Sequence, residues 1–190
     1  MRNRSSVLAM QFVGAAMALM PFAAIAAPTG EGPASKPVPV LTRAECDVWA
    51  RELSFARSVA EHDAGAFASH LHAGAAFGAS QPSPMRGREP IARGWSKIVA
   101  GDGVRLHWYP TRVTIAGEGD IAWSSGPSLY EELDGPDGPR VALGGFHSVW
   151  HRGADGTWRV LFDDGIPSRP ATEADIAAFH AGRREACPAG

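Results

Sequence analysis

The stretch Phe146 to Gly165, FHSVWHRGADGTWRVLFDDG, leaves this chain few ways to fold. Gly153 to Gly156 reads Gly-Ala-Asp-Gly, and because Gly and Asp enter positive φ at little steric cost, the segment supplies a short hairpin loop. Residues alternate on both sides of it. Phe146, Ser148 and Trp150 share one strand face, with His147, Val149 and His151 on the other; Trp158, Val160, Phe162 and Asp164 alternate with Arg159, Leu161 and Asp163. A strand so apolar that ends in Asp163-Asp164-Gly165 places carboxylates at the rim of a core.

The rest of the chain builds around that hairpin. Thr42 and Glu45 have the spacing of a capping box, and Trp49, Leu53, Ala56 and Ala60, flanked by Val48, Phe55 and Val59, form a broad apolar stripe on a helix ending near His62. Asp63 caps a second short helix, Ala64 to His70, that turns Phe67 and Leu71 inward. Ala75 to Gly78 reads as a short strand and Ala79 to Met85 as a loop. Gly87 then permits a turn into a helix carrying Ile91, Trp95, Ile98 and Val99, with Pro90 suited to its first turn and Gly101 and Gly103 ending it. Four strands follow, at Val104 to Ile115, Asp120 to Leu133, Arg140 to His151 and Thr157 to Phe162, separated by Gly/Asp turns. Thr172 and Asp175 cap a last helix with Ile176 and Phe179 facing in. Helices first and a meandering antiparallel sheet afterwards give an α+β domain with an added C-terminal helix.

Ahead of this domain, Arg2 and Arg4 precede an apolar run from Val7 to Ile25 that closes with Ala24-Ile25-Ala26, the small residues a signal peptidase needs. A membrane anchor needs about 20 uninterrupted apolar residues. Pro21 and the cleavage site instead favour a signal peptide over residues 1–26, a Pro/Gly-rich tether over 27–41, the main domain over 42–167 and a helix and tail over 168–190. The protein is therefore expected to be exported, periplasmic or secreted, with no membrane contact after cleavage. Removing Arg2 and Arg4 from 18 basic residues leaves 16 against 20 acidic ones, a mildly acidic chain without the electrostatic footprint for nucleic acid. Cys46 and Cys187 sit near opposite ends, and an oxidising compartment favours a disulfide between them over two unpaired thiols. Such a bridge closes a loop of about 140 residues, worth about 4 to 5 kcal/mol in the chain-entropy picture.

The order of elements carries a resemblance. Asp63-Ala64-Gly65-Ala66-Phe67, Met85 to Glu89 leading into the Trp95 helix, Asp120-Ile121-Ala122-Trp123-Ser124-Ser125-Gly126-Pro127, Phe146 to Trp150, and Asp155-Gly156-Thr157-Trp158-Arg159-Val160 together resemble the nuclear transport factor 2-like superfamily, in its SnoaL-like and ketosteroid isomerase-like branch. The motifs are most similar to the domain of unknown function 4440 group. The resemblance runs from about Cys46 to Gly165 and implies a cone: a strongly curved antiparallel sheet around helices, with an apolar cavity open at one end. Its catalytic members place an Asp in the cavity, sometimes with His or Tyr. Others bind ligands or only form oligomers, so fold alone decides little about function.

Several residues are candidates for chemistry. Asp163 and Asp164 are adjacent on a strand, point to opposite faces and cannot share a proton; one of them among Trp and Phe would be a desolvated general base. The competing reading is a turn whose carboxylates bond local amides. His147 is a candidate acid, base or donor, against a structural role within the sheet, and His107 carries the same ambiguity. His70 and His72 read as surface residues. Trp95, Trp108, Trp123, Phe146 and Trp150 are candidate cavity walls, with Ser125 and Tyr130 as donors at the mouth, while Trp158 reads as core. No metal-ligand spacing, nucleophile elbow, phosphate loop or dinucleotide fingerprint is present, and no cofactor is expected. Three functions follow as expectations. The first is an exported, homodimeric protein that binds a small apolar molecule, the second a cofactor-free isomerase or cyclase using an Asp base, and the third a non-catalytic dimerisation or interaction module.

Overall fold

A computed structural model describes residues 40–136 and 138–188, so the expected signal peptide and all of the tether except Val40 and Leu41 lie outside the described residues. Helix α1 (Arg43–Ala60) opens with the Thr42–Glu45 capping box: the Thr42 amide donates to the Glu45 carboxylate at 2.9 Å and the Thr42 hydroxyl accepts from the Glu45 amide at 3.3 Å. Its buried stripe includes Val48, Glu52, Phe55 and Val59. Asp63 caps α2 (Ala64–His70) by accepting from the Ala66 amide at 2.8 Å. Strands β1 (Leu71–Phe77) and β2 (Met85–Arg86) follow, then α3 (Arg88–Gly94) and α4 (Ser96–Ala100). The single helix expected around Trp95 is broken there into these two short pieces.

The sheet is a strongly curled half-barrel in the order β2-β1-β7-β6-β5-β3. Its later strands are β3 (Val104–Trp108), β4 (Arg112–Ala116), β5 (Ile121–Glu132), β6 (Arg140–Arg152) and β7 (Trp158–Pro170). All pairs are antiparallel except β1 with β7. The span Val104 to Ile115, expected as one strand, is two, because Tyr109 and Pro110 interrupt it and β3 and β4 pair with successive parts of β5. Opposite that interruption stands Gly126, where a Cβ would strike the Tyr109 carbonyl. Gly126 pairs with Phe146, and Phe146 pairs in turn with Gly165; a register shift between β6 and β7 lies between Leu143 and Gly145. Glycines thus occur in three neighbouring strands at nearly one level, where few side chains oppose a bend of the sheet and the Phe146 ring lies over Gly126.

The largest departure from the sequence reading is at β7. It runs on through Asp163-Asp164-Gly165 to Pro170, so this segment is strand and not a terminal turn. Trp150 pairs with Val160 but Val149 pairs with Phe162, which leaves Leu161 as an extra residue in a bulge. Alternation reverses there. Trp158 and Val160 are buried, Phe162 is 42% exposed, and Asp163 takes the inward position opposite the buried Ser148.

Helix α5 (Glu173–Gly182) begins with the Thr172–Asp175 capping box and buries Phe179, whose carbonyl accepts from the Tyr109 hydroxyl at 2.8 Å. The tail beyond it returns to the start of the domain, where Cys187 is disulfide-bonded to Cys46 and the Leu41 amide donates to the Pro188 carbonyl at 3.0 Å. Among the described residues no helix is long and apolar enough to cross a membrane.

Candidate functional site

The interior of the sheet holds two carboxyls, from different elements, in different circumstances. Glu52 projects from the middle of the α1 stripe and is fully buried. The Trp108 indole donates to its Oε1 at 2.7 Å, and the Ser124 hydroxyl and Trp150 indole donate to its Oε2 at 2.6 and 3.0 Å. Burial pushes its pKa up, opposed by hydrogen bonds from Ser124, Trp108, Trp150 and Ser148. Asp163, brought inward by the β7 bulge, accepts from the Ser148 hydroxyl at 2.8 Å. Asp163 is half-buried, and desolvation raises its pKa to about 7, with the Ser148 bond pulling down and the charges of Glu52 and Asp164 pushing up.

Asp163 borders a cavity of about 240 Å³, whose walls include Phe55, Trp95, Trp108, Tyr130 and Phe146. No Lys, Arg or His lines it. Asp164 also touches the cavity, but its Oδ2 accepts from the Ser80 amide at 2.6 Å. Burial pushes the Asp164 pKa up, yet bonds from Ser80 and the charge of His147 outweigh that and hold it below the usual carboxylate range.

The structure therefore gathers Asp163, Asp164, Trp95, Trp108, Tyr130 and Phe146 around one cavity. It leaves other candidates apart. Trp150 is fully buried against Glu52 and Ser124, beyond the cavity walls. Trp123, 39% exposed, and Ser125 alternate with the buried Ala122 and Ser124, so they occupy the opposite face of β5. His147 alternates with the buried Phe146 and Ser148 and pairs with Asp164 across the strands. His107 alternates with the cavity-lining Leu106 and Trp108 and lies 3.6 Å from Glu131. Trp158 is core.

His70 is not a surface residue: it is 2% exposed, because α2 packs it against α1. Its Nδ1–H donates to the Ala66 carbonyl at 2.7 Å, which leaves Nε2 to accept from the Ser54 hydroxyl at 3.0 Å. Burial, reinforced by the charge of Arg51, lowers its pKa to about 4.

Sequence reasoning overlooked Glu52, Ser124 and Ser148. A signal for Glu52 was available, since Val48, Glu52, Phe55 and Val59 share the spacing of a single helix face, and a carboxylate among such neighbours must be buried with partners. Among the described residues no group of three or more His, Cys, Asp or Glu is placed to hold a metal ion.

No family model and no curated protein matches the sequence. Solved structures do match the fold. A ketosteroid isomerase-like protein from Erwinia carotovora atroseptica is 13% identical, with 66% of this chain and 96% of that one covered, at a TM-score of 0.55. A nuclear transport factor 2-like superfamily protein from Salmonella enterica is 14% identical, with 68% and 93% covered, at 0.54. A further protein of this kind, of unknown function, from Pseudomonas putida is 14% identical, with 72% and 94% covered, at 0.52. At such identities the likeness is one of fold.

Proposed function

We infer, from a nuclear transport factor 2-like fold whose concave side holds a carboxyl in an apolar cavity, that this is an exported protein that binds a small molecule. One observation carries the reading: Asp163 has a single protein donor, Ser148, and otherwise faces unfilled apolar space. A carboxyl there serves no packing purpose, and a ligand with an apolar body and one polar group would satisfy it. At about 240 Å³ the cavity falls below the roughly 300 to 1,000 Å³ usual for ligand pockets, so the molecule is compact, of single-ring size. The disulfide and the absence of a membrane-spanning helix among the described residues are compatible with export. Placement nearest the domain of unknown function 4440 group rests on the sequence motifs alone.

A second reading is favoured by the position of Asp163. A carboxyl with a pKa of about 7 in apolar surroundings is matched to proton abstraction at neutral pH, with Tyr130 on the same cavity as a donor to the developing oxyanion. His147 has no part in it. Dimerisation also enters as a proposal, from the aligned row Trp123–Val149–Phe162 on the outer sheet face, in which Trp123 and Phe162 are 39% and 42% exposed.

Native mass spectrometry of the protein from an exporting host tests binding and dimerisation together. An added small mass that disappears in Asp163→Asn and persists in Asp164→Asn is the expected result. Retention by both variants would sink the assignment of Asp163.

A further inference from the structure

The charge inventory of the cavity narrows its ligand. Three acids act on this space: Asp163 from β7 on its wall, Asp164 from β7 at its border, and Glu52 from α1, bonded to the Trp108 wall. The Ser80 bonds and the charge of His147, its cross-strand neighbour, hold the Asp164 pKa below the usual carboxylate range, and that neighbour offsets part of its charge, which leaves Asp163 as the acid that faces the cavity without a cationic partner. The remaining titratable group on the wall is the Tyr130 phenol. No cationic side chain lines the cavity, and within low-dielectric walls that imbalance gives a negative potential.

A second feature acts in the same direction. Phe55, Trp95, Trp108, Tyr130 and Phe146 all contribute to the walls, and the faces of aromatic rings attract a cation through their quadrupoles and repel an anion. In the empty cavity only a proton on Asp163 relieves the charge. A ligand bearing its own positive charge would replace that proton.

We propose that the cavity binds a compact organic cation, a protonated primary amine on a single-ring apolar body, with its ammonium on Asp163 and its body against the aromatic walls. This rests on the reading that the cavity takes a ligand at all. It excludes carboxylates, which would meet Asp163 in a cavity that no described cationic side chain lines. It also makes proton release part of binding, since the ammonium requires the ionised Asp163.

Three probes of one shape test it by calorimetry on the purified protein: benzylamine, benzyl alcohol and benzoate. Benzylamine is expected to bind at least ten times more tightly than the alcohol, and benzoate not at all. Benzylamine affinity should rise about tenfold from pH 6 to pH 8 as Asp163 ionises, with proton release that varies with buffer ionisation enthalpy, while the alcohol's affinity stays flat. Asp163→Asn should lower benzylamine affinity at least tenfold and so remove its advantage over the alcohol. The pH series on the unaltered protein carries the same information if that variant fails to fold.

Equal or tighter binding of the alcohol or benzoate would overturn the cation assignment and leave the small-molecule reading standing. No binding by any of the three would overturn both.

Discussion

Glu52, fully buried, and Asp163, half-buried, are two inward-facing carboxyls, both with raised pKa values and both associated with Ser148, yet the protein treats them differently. Glu52 has two indoles and a serine aimed at its oxygens and is not among the residues that line the cavity. Asp163 has one serine and a cavity. A raised pKa does not separate a structural acid from a functional one here. The number of donors does, because a carboxylate offers about four lone-pair positions and those left open are available to something else.

The sharpest way to break this comparison is to remove the donor-rich member. Glu52→Leu leaves the Trp108 indole N–H without an acceptor and the Ser124 hydroxyl without its partner, while Trp150 retains Ser124 at 2.9 Å. Unsatisfied buried donors cost about 1 to 3 kcal/mol each, so chemical denaturation should show a loss of about 3 kcal/mol. A variant as stable as the parent would mean that the carboxylate's own desolvation cancels its bonds, and Glu52 would then need a role other than structure.

Asp163 should behave in the opposite sense. Its folded pKa of about 7 stands above the ordinary aspartate value of 3.8, so between those limits the folded state holds a proton that the unfolded chain has lost. Stability therefore falls as pH rises from about 4 to about 7, by at most about 1.4 kcal/mol per unit from this group. Asp163→Asn should flatten that part of the denaturation profile and raise stability above pH 7. An unchanged slope would show that the carboxyl is already ionised and solvated in the folded protein.

The contrast between the two acids was only half legible in the sequence. Local chemistry was readable: the capping pairs Thr42–Glu45 and Thr172–Asp175, the Gly153–Gly156 turn, and the single strand face shared by Phe146, Ser148 and Trp150, though not that this face is the inward one, each depend on residues a few positions apart. The side to which Asp163 points was not. It depends on the bulge at Leu161, a property of how β6 and β7 register against each other, and nothing in Val160-Leu161-Phe162 announces an extra residue. Continuation of β7 beyond Gly165 was hidden for a related reason, since Asp-Asp-Gly is ordinary turn chemistry and only pairing with β6 makes it strand. Glu52 escaped notice because a lone acid in an apolar stripe looks like a helix's wet edge until Trp108 and Trp150, 56 and 98 residues away, supply its donors.

Ser148 is where the comparison can be drawn most finely, through the smallest effect. Its hydroxyl proton is directed to Asp163, while its bonding also favours an ionised Glu52, and a hydroxyl has one proton to give. If that proton serves Asp163, Ser148→Ala removes an interaction that lowers the Asp163 pKa. The pKa then rises by up to about one unit, equivalent to about 1 kcal/mol, and the fall in stability extends to higher pH while stability near pH 4 is unchanged. If it serves Glu52, the variant loses a similar amount at every pH and the Asp163 window stays in place. Denaturation profiles of the parent and Ser148→Ala across pH 4 to 9 separate the two outcomes. Only the first is consistent with Asp163 as a carboxyl held by a single donor and otherwise open to the cavity.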